Sequence, residues 1–484
     1  MFRSVLVFVL TAIVLTGGSK NIRALPCDLH LTVSTFEGYS GNLELNWKTP
    51  CEQMPDWVGL FDKDPSVAGD VTPLEKVVPK EVKDGFFITN TTMNWTLLPG
   101  GWNKTQADSN LPAVSGPHCL DYWIGSFVNG ALIASNCLKI QPTWLADKRA
   151  KFSKIPISKM LLPGTHDTGS FYGESLVKGE ALKKFIFTQK EDIWNQLVFG
   201  IRYLDIRVGY FEEEDQEDIP IYTKKVNDSS QSSEERKEMD NFYENNFWLN
   251  HDLVKIRPLL PILRDIKRFA EKARNEIIIV DIHRLPVGFY LINGSVRYKR
   301  HQQLINFLFK ELGDLAVDYS QIIKQSILKN VYSVYGPRME DIWETGKRII
   351  ICYPEASFTK GSWLWPPLSQ KWGNRQTASS LKQYIETVLE SDPPAQGNPL
   401  WAIMGQMTPR AIDIIFNPKN DLMKMADSVN RNLTRWVRDE WMEETNIIAT
   451  DFFLGNNLID LSVNQRWSEE GVLPKPFVST PSTS

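Results

Sequence analysis

Positive charge is not in excess in this sequence: 54 Lys and Arg stand against 58 Asp and Glu, a formal net charge of -4. That balance offers no field for a polyanion, so nucleic acid is not an expected partner. Long apolar runs are missing as well. A membrane-crossing helix needs about 20 apolar residues, and the early run Val5 to Leu15 is shorter than that. With Arg3 before it and Gly17, Gly18 and Ser19 after it, the run reads as an export signal over residues 1–24, with no transmembrane segment expected after its removal. Cysteine is sparse, five residues in all, yet Cys27, Cys51, Cys119 and Cys137 all lie before residue 140. Such crowding points to disulfides and an oxidising compartment. Sequons at Asn90, Asn94, Asn103, Asn227, Asn293 and Asn432 agree with a secreted, extracellular glycoprotein.

What is present suits a folded chain, since 42% of residues are hydrophobic and 484 residues allow about two or three domains. Residues 25–145 read as an all-β sandwich, from the alternation in Asn42-Leu43-Glu44-Leu45-Asn46-Trp47 and short runs at Trp57 to Phe61 and Phe86 to Thr89. Asn129-Gly130 between two apolar runs predicts a two-residue type I′ hairpin. A hairpin at Phe36 to Gly41 would set Cys27 opposite Cys51 and leave Cys119 for Cys137. The Asn129-Gly130 register places Tyr122 opposite Cys137 instead, roughly 10 Å of strand from Cys119. Either the chain bends before Asp121 or the pairing differs. Cys352, inside Ile349-Ile350-Ile351-Cys352, is expected to be a buried free thiol.

From residue 150 to about 470 short apolar runs alternate with segments of helical period, which argues an α/β fold: a parallel sheet wrapped by helices, of the TIM-barrel type. The strand candidates are Lys159 to Leu162, Gly200 to Val208, Phe247 to Asn250, Glu276 to His283, Arg348 to Tyr353, Leu400 to Met407 and Asn446 to Phe453. Helices are expected over Pro261 to Ala273 and along the stripe Leu304, Ile305, Leu308, Leu312 and Leu315. The acidic insertion 211–246 reads as a solvated surface excursion, and 471–484 as a disordered tail.

Histidine is scarce, six in the chain, and two follow directly on strand candidates: His166 in Pro163-Gly164-Thr165-His166-Asp167 and His251 in Leu249-Asn250-His251-Asp252. In a barrel the strand ends and the loops after them form the active face. Asp205 and Arg207, two apart on one strand, point the same way. Asp281-Ile282-His283-Arg284 and Asp451 end two further strands. Two imidazoles, a guanidinium and flanking carboxylates supply a base, an acid, a phosphate clamp and orienting groups, the set that phosphodiester cleavage requires.

Those segments, with Gly200-Ile201-Arg202-Tyr203-Leu204-Asp205-Ile206-Arg207 and Asn446 to Asp451, resemble in that order the X-domain family of phosphatidylinositol-specific phospholipases C over about residues 150 to 460. The leading β-module, with Trp57-Val58-Gly59-Leu60-Phe61, is similar to the extra N-terminal domain of secreted arthropod members. The resemblance implies that His166 is the general base on the inositol 2-hydroxyl and His251 the general acid on the diacylglycerol oxygen, giving an inositol cyclic phosphate. It implies that Asp451 orients His166, that Asp167 and Asp205 hold the polar network, and that Arg207 stabilises the phosphate oxygens. Calcium-dependent members have a carboxylate where Arg207 stands; a cation cannot ligate a hard metal, so a metal-independent reaction with no cofactor is expected. His283 is expected near the phosphate, as a partial cation or a structural imidazole. Asp252 stands where many relatives have Gly, which predicts a less close backbone approach and a raised pKa for the acid. The run Ser362-Trp363-Leu364-Trp365-Pro366-Pro367-Leu368 with Trp372 is a candidate contact with the bilayer holding an inositol phospholipid or its glycosylated form, with core packing as the competing assignment. The other functional readings are a catalytically inactive binder of lipid head groups or glycans, and a metal-dependent glycerophosphodiesterase.

Overall fold

The computed structural model describes residues 28–466 except 37, 39, 49–53, 68–71, 83, 95–96, 107–112, 213–232, 291–292, 329–334, 392–399 and 411–420. The leader, the Cys27 and Cys51 pair, Asn227, most of the acidic tract and the tail lie outside the described residues. Among those described, no helix is long and apolar enough to cross a membrane.

The N-terminal region is all β. Strands β1 (Leu29–Val33), β2 (Asn42–Trp47) and β5 (Phe86–Thr92) form one antiparallel sheet in the order β1-β2-β5. Strands β3 (Trp57–Phe61), β4 (Glu75–Val77), β6 (His118–Val128) and β7 (Ala131–Ile140) form the other, in the order β4-β3-β6-β7. Leu43, Leu45, Val58, Leu60 and Ile124 are fully buried in the core they share. Asn129 and Gly130 have φ of 49° and 77°, the double positive φ of a type I′ turn. Two extra residues of β6 between Cys119 and Trp123 break the ladder with β7, and this bulge answers the register objection. It brings Cys119 to a Cα separation of 5.6 Å from Cys137, and the two are bonded.

The remainder is a curled parallel sheet. Strands β8 (Leu162–Thr165), β9 (Tyr203–Tyr210), β12 (Ile278–Arg284) and β13 (Ile349–Cys352) pair side by side. On the other flank β8 pairs β16 (Ile447–Thr450), then come β15 (Trp401–Met404) and β14 (Ser369–Lys371). The two flanks meet at one isolated parallel bridge, Cys352 to Trp365, four residues ahead of β14, which closes the ring. Gly164 is required where it stands: a Cβ there would lie 2.6 Å from the Tyr203 ring. The helix Leu260–Lys272, expected over Pro261 to Ala273, buries Ile262, Leu263, Ile266, Phe269 and Ala270 along one face. The helix Gly294–Leu312 buries Leu304, Leu308 and Leu312, with Leu315 just beyond it in a 3₁₀ turn. Cys352 is a buried free thiol.

Two expectations are corrected. Strand β10 (Phe247–His251) runs antiparallel to β9 and turns back as β11 (Val254–Pro258), so it is a hairpin on the overhanging end of β9 and not a barrel strand. The insertion is not all solvated: Ser233–Asn246 is a helix burying Met239, Phe242 and Tyr243, whose i, i+3, i+4 spacing lies hidden among charges. Tyr243 stacks on Phe307, ring centroids 4.3 Å apart. Tyr243→Ala is therefore expected to lower unfolding free energy by about 3 kcal/mol in a denaturant titration. A loss below about 0.5 kcal/mol, the size usual for surface changes, would mean this helix is not part of the core.

Candidate active site

The ends of β8, β9, β12 and β16, with the β10–β11 turn, surround a cavity of about 420 Å³. His166, Arg207, His251, His283 and Asp451 line it directly; Asp167 and Asp205 lie behind Arg207. The Asp451 carboxylate (Oδ1) and His166 Nδ1 are 2.7 Å apart, and Arg207 Nη2 is 2.6 Å from His166 Nε2. A guanidinium only donates, so His166 Nε2 is the acceptor and the ring proton sits on Nδ1, donated to Asp451. Arg207 Nη2 also donates to Asp205 Oδ2 at 3.2 Å, and its Nη1 lies 3.7 Å from Asp167 Oδ2. Asp167 Oδ2 in turn lies 4.0 Å from His251 Nε2 and has no hydrogen-bond partner among the described residues.

Burial and charge divide these groups. Burial pushes the Asp167 carboxyl up to about 7, although Arg207 opposes it. Burial also pushes on Asp205, but Arg207, aided by His283, His166 and the Asp167 N–H, overcomes it and holds that carboxyl at about 2. His251 is driven down to about 3 by burial and then by Arg207. The raised acid pKa expected from Asp252 is thus overturned: the Asp252 charge acts upward but is outweighed. His283, 3.9 Å from Asp281 by its Nδ1, is pushed down to about 4 by burial, which makes it a neutral imidazole on the cavity wall. Asp281 is raised to about 8 by burial and the nearby Asp205.

The backbone is strained at three of these positions. Asp167, Asp252 and Phe452, each directly following His166, His251 or Asp451, have φ of 39°, 48° and 46°. Left-handed conformations of this kind cost of order 1–3 kcal/mol each and persist only where surroundings enforce them. Asp167 N donates to Asp205 Oδ2, Thr188 Oγ1 is shared between the carbonyls of His166 and Asp167, and Phe452 N donates to Thr188 O. Asp252 adopts the glycine-like backbone itself and lies at the cavity edge, its carboxylate 3.5 Å from Arg284.

Sequence reasoning did not find Gln370, whose Nε2 donates to Tyr203 OH at 2.8 Å and Asp205 Oδ1 at 3.2 Å on the cavity floor. A single amide in a three-residue strand leaves no periodic signal. Trp365 and Leu364 are fully buried, and Trp365 Nε1 donates to Val317 O, so core packing wins for that run; Trp372 alone stands 47% exposed at the cavity.

No family model matches the chain. PI-PLC X domain-containing protein 1 of Homo sapiens is 21% identical over 372 residues, 70% of this chain and 99% of the relative. PI-PLC X domain-containing protein 2 of Mus musculus is 24% identical over 349 residues, 66% of this chain and 85% of the relative. The chain is a homologue of the PI-PLC X domain-containing proteins. Among solved structures, the phosphatidylinositol-specific phospholipase C from Listeria monocytogenes aligns with a TM-score of 0.42 and 18% identity, covering 68% of this chain and 99% of that one. The two raised carboxyls, Asp167 and Asp281, set a pH dependence. Their contribution to stability is full below about pH 4 and is lost as pH rises through about 7 for Asp167 and about 8 for Asp281. The melting temperature of Asp167→Asn is expected to fall less steeply than that of the wild type between those limits; parallel curves would show that the Asp167 carboxyl titrates as in the unfolded chain.

Proposed function

We propose that this protein is a secreted phosphodiesterase of the phospholipase C type, which cleaves an inositol phospholipid or its glycosylated form by acid–base catalysis without a metal ion. The observation that carries the reading is the contact of Arg207 with His166 Nε2, with Asp451 behind the ring and His251 across Arg207. A phosphate arriving in the cavity would draw the guanidinium to its own oxygens and release the Nε2 lone pair to take the proton of the inositol 2-hydroxyl. The hydroxyl oxygen then bonds to phosphorus, the bond from phosphorus to the diacylglycerol oxygen breaks, and His251 protonates that oxygen. His251 needs a proton to do this, and the Asp167 carboxyl 4.0 Å away, with its pKa near 7, holds one available to the pair. Asp205 and Arg207 keep the phosphate seat charged, and His283 offers a neutral donor beside it. Arg207 lies between the two carboxylates that a hard cation would otherwise take, which supports independence from metal.

Exposed Trp372 at the cavity and Leu253, 74% exposed in the turn that carries His251, suit a peripheral approach to a bilayer. Secretion is supported by the leader, the Cys119–Cys137 disulfide and the exposed sequon residues Asn90, Asn94 and Asn293. A band shift on glycosidase treatment of protein from culture medium would support it; unglycosylated protein retained in cells would not.

The deciding assay compares wild type, His166→Ala and His251→Ala on phosphatidylinositol vesicles with and without chelator. Each substitution is expected to lower the rate by about a hundredfold or more, and chelator is expected to change nothing. Loss of activity in chelator would favour the glycerophosphodiesterase reading, and a folded wild type inert on every inositol lipid would favour the binder. As pH rises through about 7 the Asp167 and His251 pair gives up its proton, so kcat/KM should fall, and Asp167→Asn should displace that limb.

A further inference from the structure

We propose that the β-sandwich is part of the catalytic scaffold, and that Asn430 and Glu44 are positioning residues that fix Asp451 against His166. The proposal rests on the assignment of His166 as the base. Strand β2 alternates as a half-exposed strand should, yet its polar side chains Glu44 and Asn46 are buried, at 2% and 5% exposure. They are covered because that face of the sandwich docks on the barrel helix Leu422–Trp436. Arg431 of this helix donates from Nε to both Glu44 oxygens, at 2.9 Å each, and lies over the Phe86 ring of β5 at 4.0 Å. Thr32 of β1 adds a hydrogen bond to Glu44 at 3.2 Å.

The residue before Arg431 in the helix faces the loop that carries Asp451. Asn430, 1% exposed, donates from Nδ2 to the carbonyls of Asp451 at 3.0 Å and Phe452 at 3.2 Å. Farther along the same loop Asn457 N donates to Thr434 Oγ1 at 3.0 Å. Gly455 sits where the sandwich, the helix and the loop converge: a Cβ there would lie 2.9 Å from Asn430 Nδ2 and 3.5 Å from the Val33 carbonyl of β1. The loop from Asp451 to Asn457 is thus gripped by the helix on one side and touched by β1 on the other.

The consequence is mechanical. Phe452 holds a left-handed backbone that a bulky side chain resists, and that conformation sets the direction in which Asp451 leaves the chain. The two bonds from Asn430 enforce it, and the buried Glu44–Arg431 pair anchors the helix turn that carries Asn430. Glu44 is buried enough that burial raises its carboxyl even with Arg431 beside it, so the pair is costly to break by removing one partner.

The test measures kinetics of the full chain on phosphatidylinositol vesicles, together with the proton resonance of the His166 Nδ1–H that Asp451 holds. Asn430→Ala is expected to lower kcat about tenfold with KM changed less than about twofold. Glu44→Gln, which keeps the shape and removes the charge, should give a smaller loss in the same direction. In a His166→Ala background neither change should cost anything more, because both act through that ring. The Nδ1–H resonance should broaden or move upfield in both variants. Folded variants with wild-type kcat and resonance, or an equal fractional loss in the His166→Ala background, would overturn the proposal. Should Asn430→Ala not fold, Glu44→Gln decides alone. The resonance requires no turnover, so failure of the phospholipase assignment and failure of this one are distinguishable.

Discussion

The charge on Arg207 governs the cavity. A guanidinium cannot shed its proton, so burying it to 8% exposure requires compensation from neighbours that can carry or share charge. Asp205 supplies the full negative charge and is held ionised by doing so. Asp167, farther from the guanidinium and without a donor on its second oxygen, keeps its proton to near neutrality. The same cation repels a proton from His251 and occupies the lone pair of His166. Set against burial, one fixed charge therefore holds Asp205 ionised while Asp167 keeps its proton, and it adds to the burial that keeps His251 neutral. A phosphate, as a mobile anion that draws on the same guanidinium, is the kind of group that would shift Asp167, Asp205 and His251 together.

Precision in the cavity is bought with backbone strain. Three bulky or charged residues adopt a conformation that suits glycine, and each follows a side chain that faces the cavity. The stabilising bonds come from groups far apart in sequence: Thr188, Asp205 and Asn430. The apolar core of the sandwich runs without a break into that of the barrel, so both halves bear the load.

Much of this was legible from residue order. Period two put Asp205 and Arg207 on one face of β9, and the position of His166 and Asp451 at adjacent parallel strand ends brought them to one hydrogen bond. The homology covers that region, and the alternation of strand and helix revealed the α/β class. What was not legible depended on tertiary cover. Glu44 reads as a solvent-facing residue until a helix lies on it, Met239, Phe242 and Tyr243 are hidden by acidic neighbours, and Trp365 belongs to a core that only ring closure creates. The direction of β10 is set by its pairing with the overhang of β9, information absent from its own five residues. The bulge beside Cys119 was one of two alternatives that residue order left open, and the pairing of β6 with β7 decides for it.

Among the described residues one bridge, Cys352 to Trp365, joins the two flanks of the ring, and Cys352 stands at that seam. Its thiol is fully buried, and burial raises its pKa well above the usual range, so it is inert while the ring stays shut. Two backbone bonds hold the seam, Trp365 N to Ile351 O and Tyr353 N to Trp365 O, and opening them would bare the sulfur. The speed at which an alkylating reagent reaches this sulfur is therefore a native gauge of how often the barrel breathes.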